Sequence, residues 1–282
     1  MPQRDSLAGT FLVATVLCVV CSLAVSAAAV ALRPLQDQNK VLDRQKNILD
    51  AAGLAMGEFG KPASQLSLDQ IEELYGWISE KLVTLETGQY NADLDAEKYD
   101  PREAAKKDDL SIEIVDPAFD IGEKRREKVS RIYFVKKPGS DDIQQVVLPV
   151  YGKGLWSTLY GYLALKSDLQ TIQGLTFYEH AETPGLGGEV DNPRWKSQWV
   201  GQKLFDGDGN PAAMVAKGTA PADSDYAVDG LSGATITSRG VTNLLRYWAG
   251  PDGYGPFLGR LRTEIASATS AESTSASEST ES

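Results

Sequence analysis

Asp229-Gly230-Leu231-Ser232-Gly233-Ala234-Thr235-Ile236-Thr237-Ser238 sets small residues and hydroxyls directly ahead of an apolar run in which Val241, Leu244, Leu245 and Trp248 recur at helical spacing. The spacing predicts a helix over 238–248, with the hydroxyl-rich segment at its N-terminus. Unpaired N–H groups and the helix dipole favour an anion there, so the segment reads either as a phosphate-holding turn or as a plain cap supplied by Thr237 and Ser238. Upstream, alternation and β-branched content predict strands over 129–136, 144–151, 159–166 and 172–179, with a further one over 212–217. Short strands in succession, punctuated by Pro-Gly, Gly and Asp, predict a mainly antiparallel sheet with flanking helices, an α+β architecture.

The composition narrows what such a domain can do. With 42% hydrophobic and 24% charged residues among 282, the chain has enough apolar content for one ordinary domain plus appendages. A formal net charge of -11 repels phosphate backbones, and Lys124-Arg125-Arg126 is the densest basic run, so no nucleic-acid partner is expected. Both cysteines, Cys18 and Cys21, lie in an apolar N-terminal stretch, which leaves the remainder with no thiol and the single histidine His180. Protein-ligated zinc, a thiolate-bound iron–sulfur cluster and a Cys–His nucleophile are therefore excluded from that remainder, and no metal site is expected. Redox chemistry, if the domain performs any, requires an organic cofactor.

From Leu7 to Leu32 the chain carries no charged residue. A spanning helix needs about 20 apolar residues, so 7–32 reads as a single transmembrane helix after a short tail over 1–6. A cleaved signal peptide is the competing reading, with Ala27-Ala28-Ala29 as its cleavage site, but the apolar run is longer than the usual signal core. The charges flanking the span are too balanced for the positive-inside rule to orient it. Residues 33–128 read as a helical stalk over 38–51 and the N-terminal part of a soluble domain, including a capping box at Ser67-Leu68-Asp69-Gln70 and an amphipathic helix running on to Val83. A charged loop follows over 99–109. The main domain spans 129–265, and 266–282, nearly all Ser, Thr, Ala and Glu, reads as a disordered tail.

Two further stations are dense in glycine and each follows a predicted strand: Tyr151-Gly152-Lys153-Gly154-Leu155-Trp156-Ser157 and Glu182-Thr183-Pro184-Gly185-Leu186-Gly187-Gly188-Glu189. Glycines there let backbone N–H groups approach a flat ligand closely. Either station alone reads equally well as a hairpin loop.

The pattern Asp-x-x-Ser-Gly-Ala-Thr at 229–235 resembles the flavinylation motif of bacterial membrane flavoproteins. Together with the two stations and the stretch from Gln38-Asn39-Lys40 to Leu49-Asp50-Ala51-Ala52-Gly53-Leu54, it resembles the C-subunit family of the bacterial sodium-translocating NADH:quinone reductases, from the anchor to about Ile265. The resemblance implies a single-span inner-membrane flavoprotein whose soluble domain faces the periplasm and carries FMN covalently, through a phosphoester on Thr235. It also implies electron relay from NADH toward ubiquinone coupled to sodium export, five companion proteins in a six-subunit reductase, and a Mg²⁺-dependent flavin transferase that attaches the FMN.

Carried onto this sequence, the resemblance gives Ser232, Gly233 and Ala234 an unhindered approach to Thr235 and makes Asp229 part of the transferase recognition pattern. Lys153, Trp156, Ser157, Glu182, Thr183, Gly185, Leu186 and Gly187 then become the expected flavin cradle, with Trp156, Thr183 and Leu186 flanking the ring and Lys153 offering positive charge to its pyrimidine edge. Trp156 reads almost equally well as core, and Lys153 as a solvated lysine. The G subunit of the related Rnf electron-transport complex, which shares the threonine motif, is the nearest alternative, and a flavin-free membrane-tethered scaffold is the alternative of a different class.

Overall fold

The structure is a computed structural model that describes residues 7–136, 138–140 and 142–278. The predicted tail over 1–6 and the last four positions lie outside the described residues. Two compact units result, one up to Gln45 and one from Lys46 onward.

The first unit is the greater part of helix α1 (Leu7–Ala51). Its apolar part is long enough to cross a membrane, and Phe11, Leu12, Leu23 and Val30 are all exposed along it. Both cysteines are exposed free thiols on this helix. The helix continues without a break through Pro34, so span and stalk form one element.

The second unit is built on a five-stranded sheet. Strands β1 (Ile78–Thr84), β4 (Val129–Lys136), β5 (Ile143–Lys153), β6 (Thr158–Lys166) and β7 (Ile172–Glu179) lie in the order β1-β4-β5-β6-β7, and every neighbouring pair is antiparallel. A small pair of β2 (Ser111–Glu113) and β3 (Arg125–Glu127) precedes β4, and a parallel pair of β8 (Met214–Val215) and β9 (Ala227–Val228) precedes the threonine loop. The helices are α2 (Leu54–Phe59), α3 (Leu68–Tyr75), α4 (Pro101–Ala104), α5 (Pro193–Ser197), α6 (Thr235–Ala249) and α7 (Gly255–Glu278).

Strand alternation feeds two cores at once. Successive side chains of a strand point to opposite faces. Ile132 and Phe134 of β4 therefore join Val146, Leu148, Leu163 and the α6 residues Val241, Leu244 and Trp248 on one face. Tyr133, Val135, Val147, Tyr162 and Ala164 join Ile48, Ala51 and Ala52 on the other. The sheet is covered on both sides, which is why β4 is buried almost throughout, Ser130 and Arg131 included.

Three expectations change. The amphipathic helix from the capping box stops at Tyr75, and Ile78–Thr84 is strand β1, paired with β4 in register from Ile78↔Val135 to Thr84↔Val129. Residues before 129 thus contribute an edge strand to the main sheet. The 99–109 loop contains the short helix α4, started by Asp100 accepting from the N–H groups of Arg102 and Glu103 with Pro101 at its first position. The segment expected to be a disordered tail is helical from Ala266 through Glu278 as the continuation of α7, whose first turns are fixed in the core by Phe257, Leu258 and Leu261.

Buried polar groups tie these layers together. The fully buried Tyr254 donates its hydroxyl hydrogen to the Pro149 carbonyl (2.8 Å), and its oxygen lies 2.9 Å from Ser130 Oγ. Tyr254→Phe leaves both partners without it, and we expect a loss of about 1–3 kcal/mol in unfolding free energy, read by denaturant titration of the detergent-solubilised chain.

Candidate functional site

The three glycine-rich segments meet around one side chain, Glu182. The residue is 5% exposed, and its carboxylate accepts the N–H groups of Leu155 (3.2 Å), Trp156 (2.9 Å) and Ser157 (3.2 Å) from the loop after β5, and the hydroxyl of Thr237 (2.6 Å) from the first turn of α6. Burial pushes its pKa upward, but the Thr237 hydroxyl and the three amides outweigh burial and hold it below the ordinary glutamate range. The glycines permit this approach. A Cβ on Gly154 would stand 2.5 Å from one carboxylate oxygen, and one on Gly187 would stand 2.6 Å from the other and 2.7 Å from Thr237 Oγ1.

The remaining groups hold the loops in register. Ser157 Oγ accepts the Ala181 N–H at 2.7 Å, and the Thr183 carbonyl accepts from Leu186 and Gly188. His180 accepts the Glu182 N–H on Nδ1 (3.2 Å) and pairs through Nε2 with Asp191 (2.8 Å), so the lone histidine orients the glutamate's loop. Gly185 turns that loop at a φ of 77°.

The threonine loop is pinned by Asp229, whose carboxylate accepts the Ala220 N–H (2.8 Å) and whose carbonyl accepts the Trp195 indole N–H (2.8 Å). Gly233, at a φ of 69°, turns the chain into α6, and a Cβ there would meet Leu186 Cδ2 at 2.9 Å, which brings the 182–189 loop against the threonine loop. Helix α6 begins at Thr235, ahead of its predicted start, with Ala234 as its cap and no side-chain cap bond. The hydroxyls expected to cap it are used elsewhere: Thr237 bonds Glu182, and Ser238 Oγ accepts the Leu231 N–H (3.1 Å). Thr235 is exposed at this uncapped end, where backbone N–H groups point out of the helix.

The site therefore presents an exposed hydroxyl, an anion-favouring helix end and an apolar surround. Trp156 (69% exposed), Leu155, Leu186 and Ile236 are large apolar side chains facing outward, which rules out the core reading of Trp156. An exposed indole on a backbone fixed by Glu182 is suited to covering a flat ring. The structure brings Trp156, Ser157, Glu182 and Gly187 together with Thr237 and sets Leu186 against Gly233, next in sequence to Ala234 and Thr235, while Asp229 is held on Ala220 and Trp195.

Lys153 is placed differently. Its carbonyl packs on α6, where a Cβ on Gly240 would be 2.2 Å away, while its ammonium is 3.0 Å from Glu123 and donates to Thr158 Oγ1 at 2.6 Å. Its charge is paired there with Glu123.

Comparison with known proteins bears directly on this arrangement. The C subunit of the Na(+)-translocating NADH-quinone reductase of Yersinia pestis is 43% identical over 92% of this chain and 95% of its own length, and that of Pseudomonas aeruginosa is 47% identical over 93% and 98%. The chain belongs to the C-subunit family of the Na(+)-translocating NADH-quinone reductases, NqrC. A crystal structure of Shewanella oneidensis NqrC superposes with a TM-score of 0.69 at 34% identity, covering 78% of this chain and 96% of that one. The NqrC structure from Parabacteroides distasonis gives 0.61 at 28% identity over 80% and 96%. Residues 154–250 match the FMN-binding domain family, a span that starts just after Lys153 and contains the Glu182 hub, the threonine loop and α6. The chain is thus a subunit, with an FMN-binding domain and one candidate membrane span, of a multi-subunit reductase, and the Rnf-type and scaffold alternatives give way to that reading.

Proposed function

We propose that this chain holds FMN covalently through a phosphoester on Thr235 and relays electrons from NADH toward ubiquinone within a six-subunit reductase that exports sodium. The exposed Thr235 hydroxyl at the uncapped start of α6, beside the loop held by Glu182, is the observation that carries this reading. Helix N–H groups stabilise the remaining negative charge of a phosphodiester, and exposed Arg239 adds a cation on the same helix. FMN supplies the electron chemistry when bound. The chain's own residues do the rest: Glu182 fixes the amides of residues 155–157, those amides set the position of Trp156, and Leu186 packs against the threonine loop.

In this reading helix α1 anchors the chain in the inner membrane, the soluble domain lies on the periplasmic side, and a flavin transferase loads the site there. A covalent bond suits that side, where a dissociated flavin is not readily replaced. Rapid mixing of the assembled reductase with NADH, followed at flavin absorbance, tests the relay. The flavin on this chain is expected to be reduced within a single turnover, and a flavin that stays oxidised throughout steady turnover overturns the assignment.

A further inference from the structure

Positive charge on this acidic chain gathers in a second place. A cleft of about 450 Å³ lies between α4, residues 122–125 and strands β5 and β6. Arg102, Lys106, Lys124, Arg125 and Lys153 line it against one carboxylate, Glu123, on a chain whose acidic residues outnumber its basic ones 39 to 28. Its aromatic wall is Tyr151 and Tyr160, with ring centroids 5.6 Å apart.

Arg102 is set in advance. Its guanidinium lies 3.8 Å over the Tyr160 ring, and Glu179 holds it by two hydrogen bonds of 2.6 and 2.9 Å. Lys106 pairs with Glu103 (2.7 Å) through an exposed carboxylate, and Lys124 has no ion-pair partner among the described residues; Arg125 donates through Nε to Ser111 Oγ (2.8 Å) and pairs with the exposed Asp108 (3.4 Å), and Lys153 is held by Glu123 (3.0 Å). Exposed pairs of this kind are weak, so an incoming anion can compete for these cations. The cradle proposed around Glu182 uses neither the Lys106 nor the Lys124 ammonium.

We propose that this cleft is a binding site for a phosphate-bearing small molecule with more than one negative charge, the phosphate meeting the lysines and Arg125 and the rest of the molecule lying along Tyr160. A guanidinium fork and several ammonium groups around a space of ligand size match phosphate oxygens better than a lone carboxylate. The ligand's source is a soluble phosphoester or an anionic lipid headgroup.

Isothermal titration of the flavinylated full chain in detergent tests this, with inorganic pyrophosphate as the first probe and glycerophosphoglycerol, a lipid headgroup without acyl chains, as the second. Pyrophosphate is expected to bind, and Lys106→Gln with Lys124→Gln to weaken it about ten-fold or more, the scale of lost charge-assisted hydrogen bonds. Glu123→Gln, which removes the lining carboxylate and frees Lys153 from its pair, is expected to tighten binding, an effect that general loosening of the fold does not produce. Preference for pyrophosphate assigns the site to a soluble phosphoester, and equal binding of the diester assigns it to a lipid headgroup. Absence of binding by both probes, or binding unaffected by all three substitutions, overturns the proposal. Binding seen in flavin-free Thr235→Ala protein and lost in the flavinylated chain also overturns it, because the cleft then belongs to the flavin.

Discussion

Thr235→Ala is expected to leave the chain with no covalently held flavin. Transfer of FMN from FAD forms a bond from the threonine Oγ to phosphorus and breaks the pyrophosphate link, releasing AMP and the hydroxyl proton. Alanine has no oxygen for that bond. The neighbouring hydroxyls do not replace it: Thr237 is fully buried and bonded to Glu182, and Ser238 is buried and occupied by the Leu231 N–H. Ser232 is the exposed hydroxyl nearest in sequence, and it lies on the turn before the helix rather than at its end.

Ultraviolet fluorescence on a denaturing gel and the intact mass of chain co-expressed with a flavin transferase read the result. The wild type is expected to gain one FMN and the alanine variant none, while Thr235→Ser, which keeps the oxygen, retains a signal. Thr235 is exposed at the first helical position, so the alanine variant is expected to unfold within about 0.5 kcal/mol of the wild type. Full fluorescence in the alanine variant would remove Thr235 from the proposal, and peptide mapping would then test Ser232.

Much of the fold was legible because its signals are local. The β4 and β7 boundaries follow from alternation and β-branched content, and the small residues before α6 mark its start to within a turn. The failures share a cause. Ile71, Leu74, Tyr75, Ile78 and Leu82 fall at helical spacing, yet Ile78 and Leu82 serve a strand because β4, far along the chain, offers a ladder and Gly76 interrupts the helix. The site shows the same limit. Glycine density marked all three loops, and resemblance marked Thr235, but the role of Glu182 as their common acceptor depends on donors at 155–157 and 237 that only the folded sheet assembles.

Glu182→Gln is expected to be the most damaging single change that leaves Thr235 intact. The carboxylate is a pure acceptor facing donors only, three backbone N–H groups and one hydroxyl. An amide in its place offers one oxygen and turns an NH₂ group toward the remaining donors, so at least one buried N–H loses its partner. The charge assistance of every bond is lost as well, and the combined cost is on the order of 3 kcal/mol. The effect should be regional: hydrogen exchange is expected to rise at residues 154–158 and 183–188, while the β4 and β5 amides keep their protection. Flavin is expected to remain attached at Thr235 but to tumble more freely, lowering its fluorescence anisotropy. The pH dependence identifies the carboxylate as the cause. Its folded pKa lies below the ordinary glutamate range, so its contribution is complete above that range and is lost as pH falls through the lowered folded value. The stability gap between wild type and Glu182→Gln should therefore be constant near neutrality and narrow in acid. A gap that stays constant into acid would place the loss in shape rather than charge, and Glu182 would no longer be the electrostatic hub of the site.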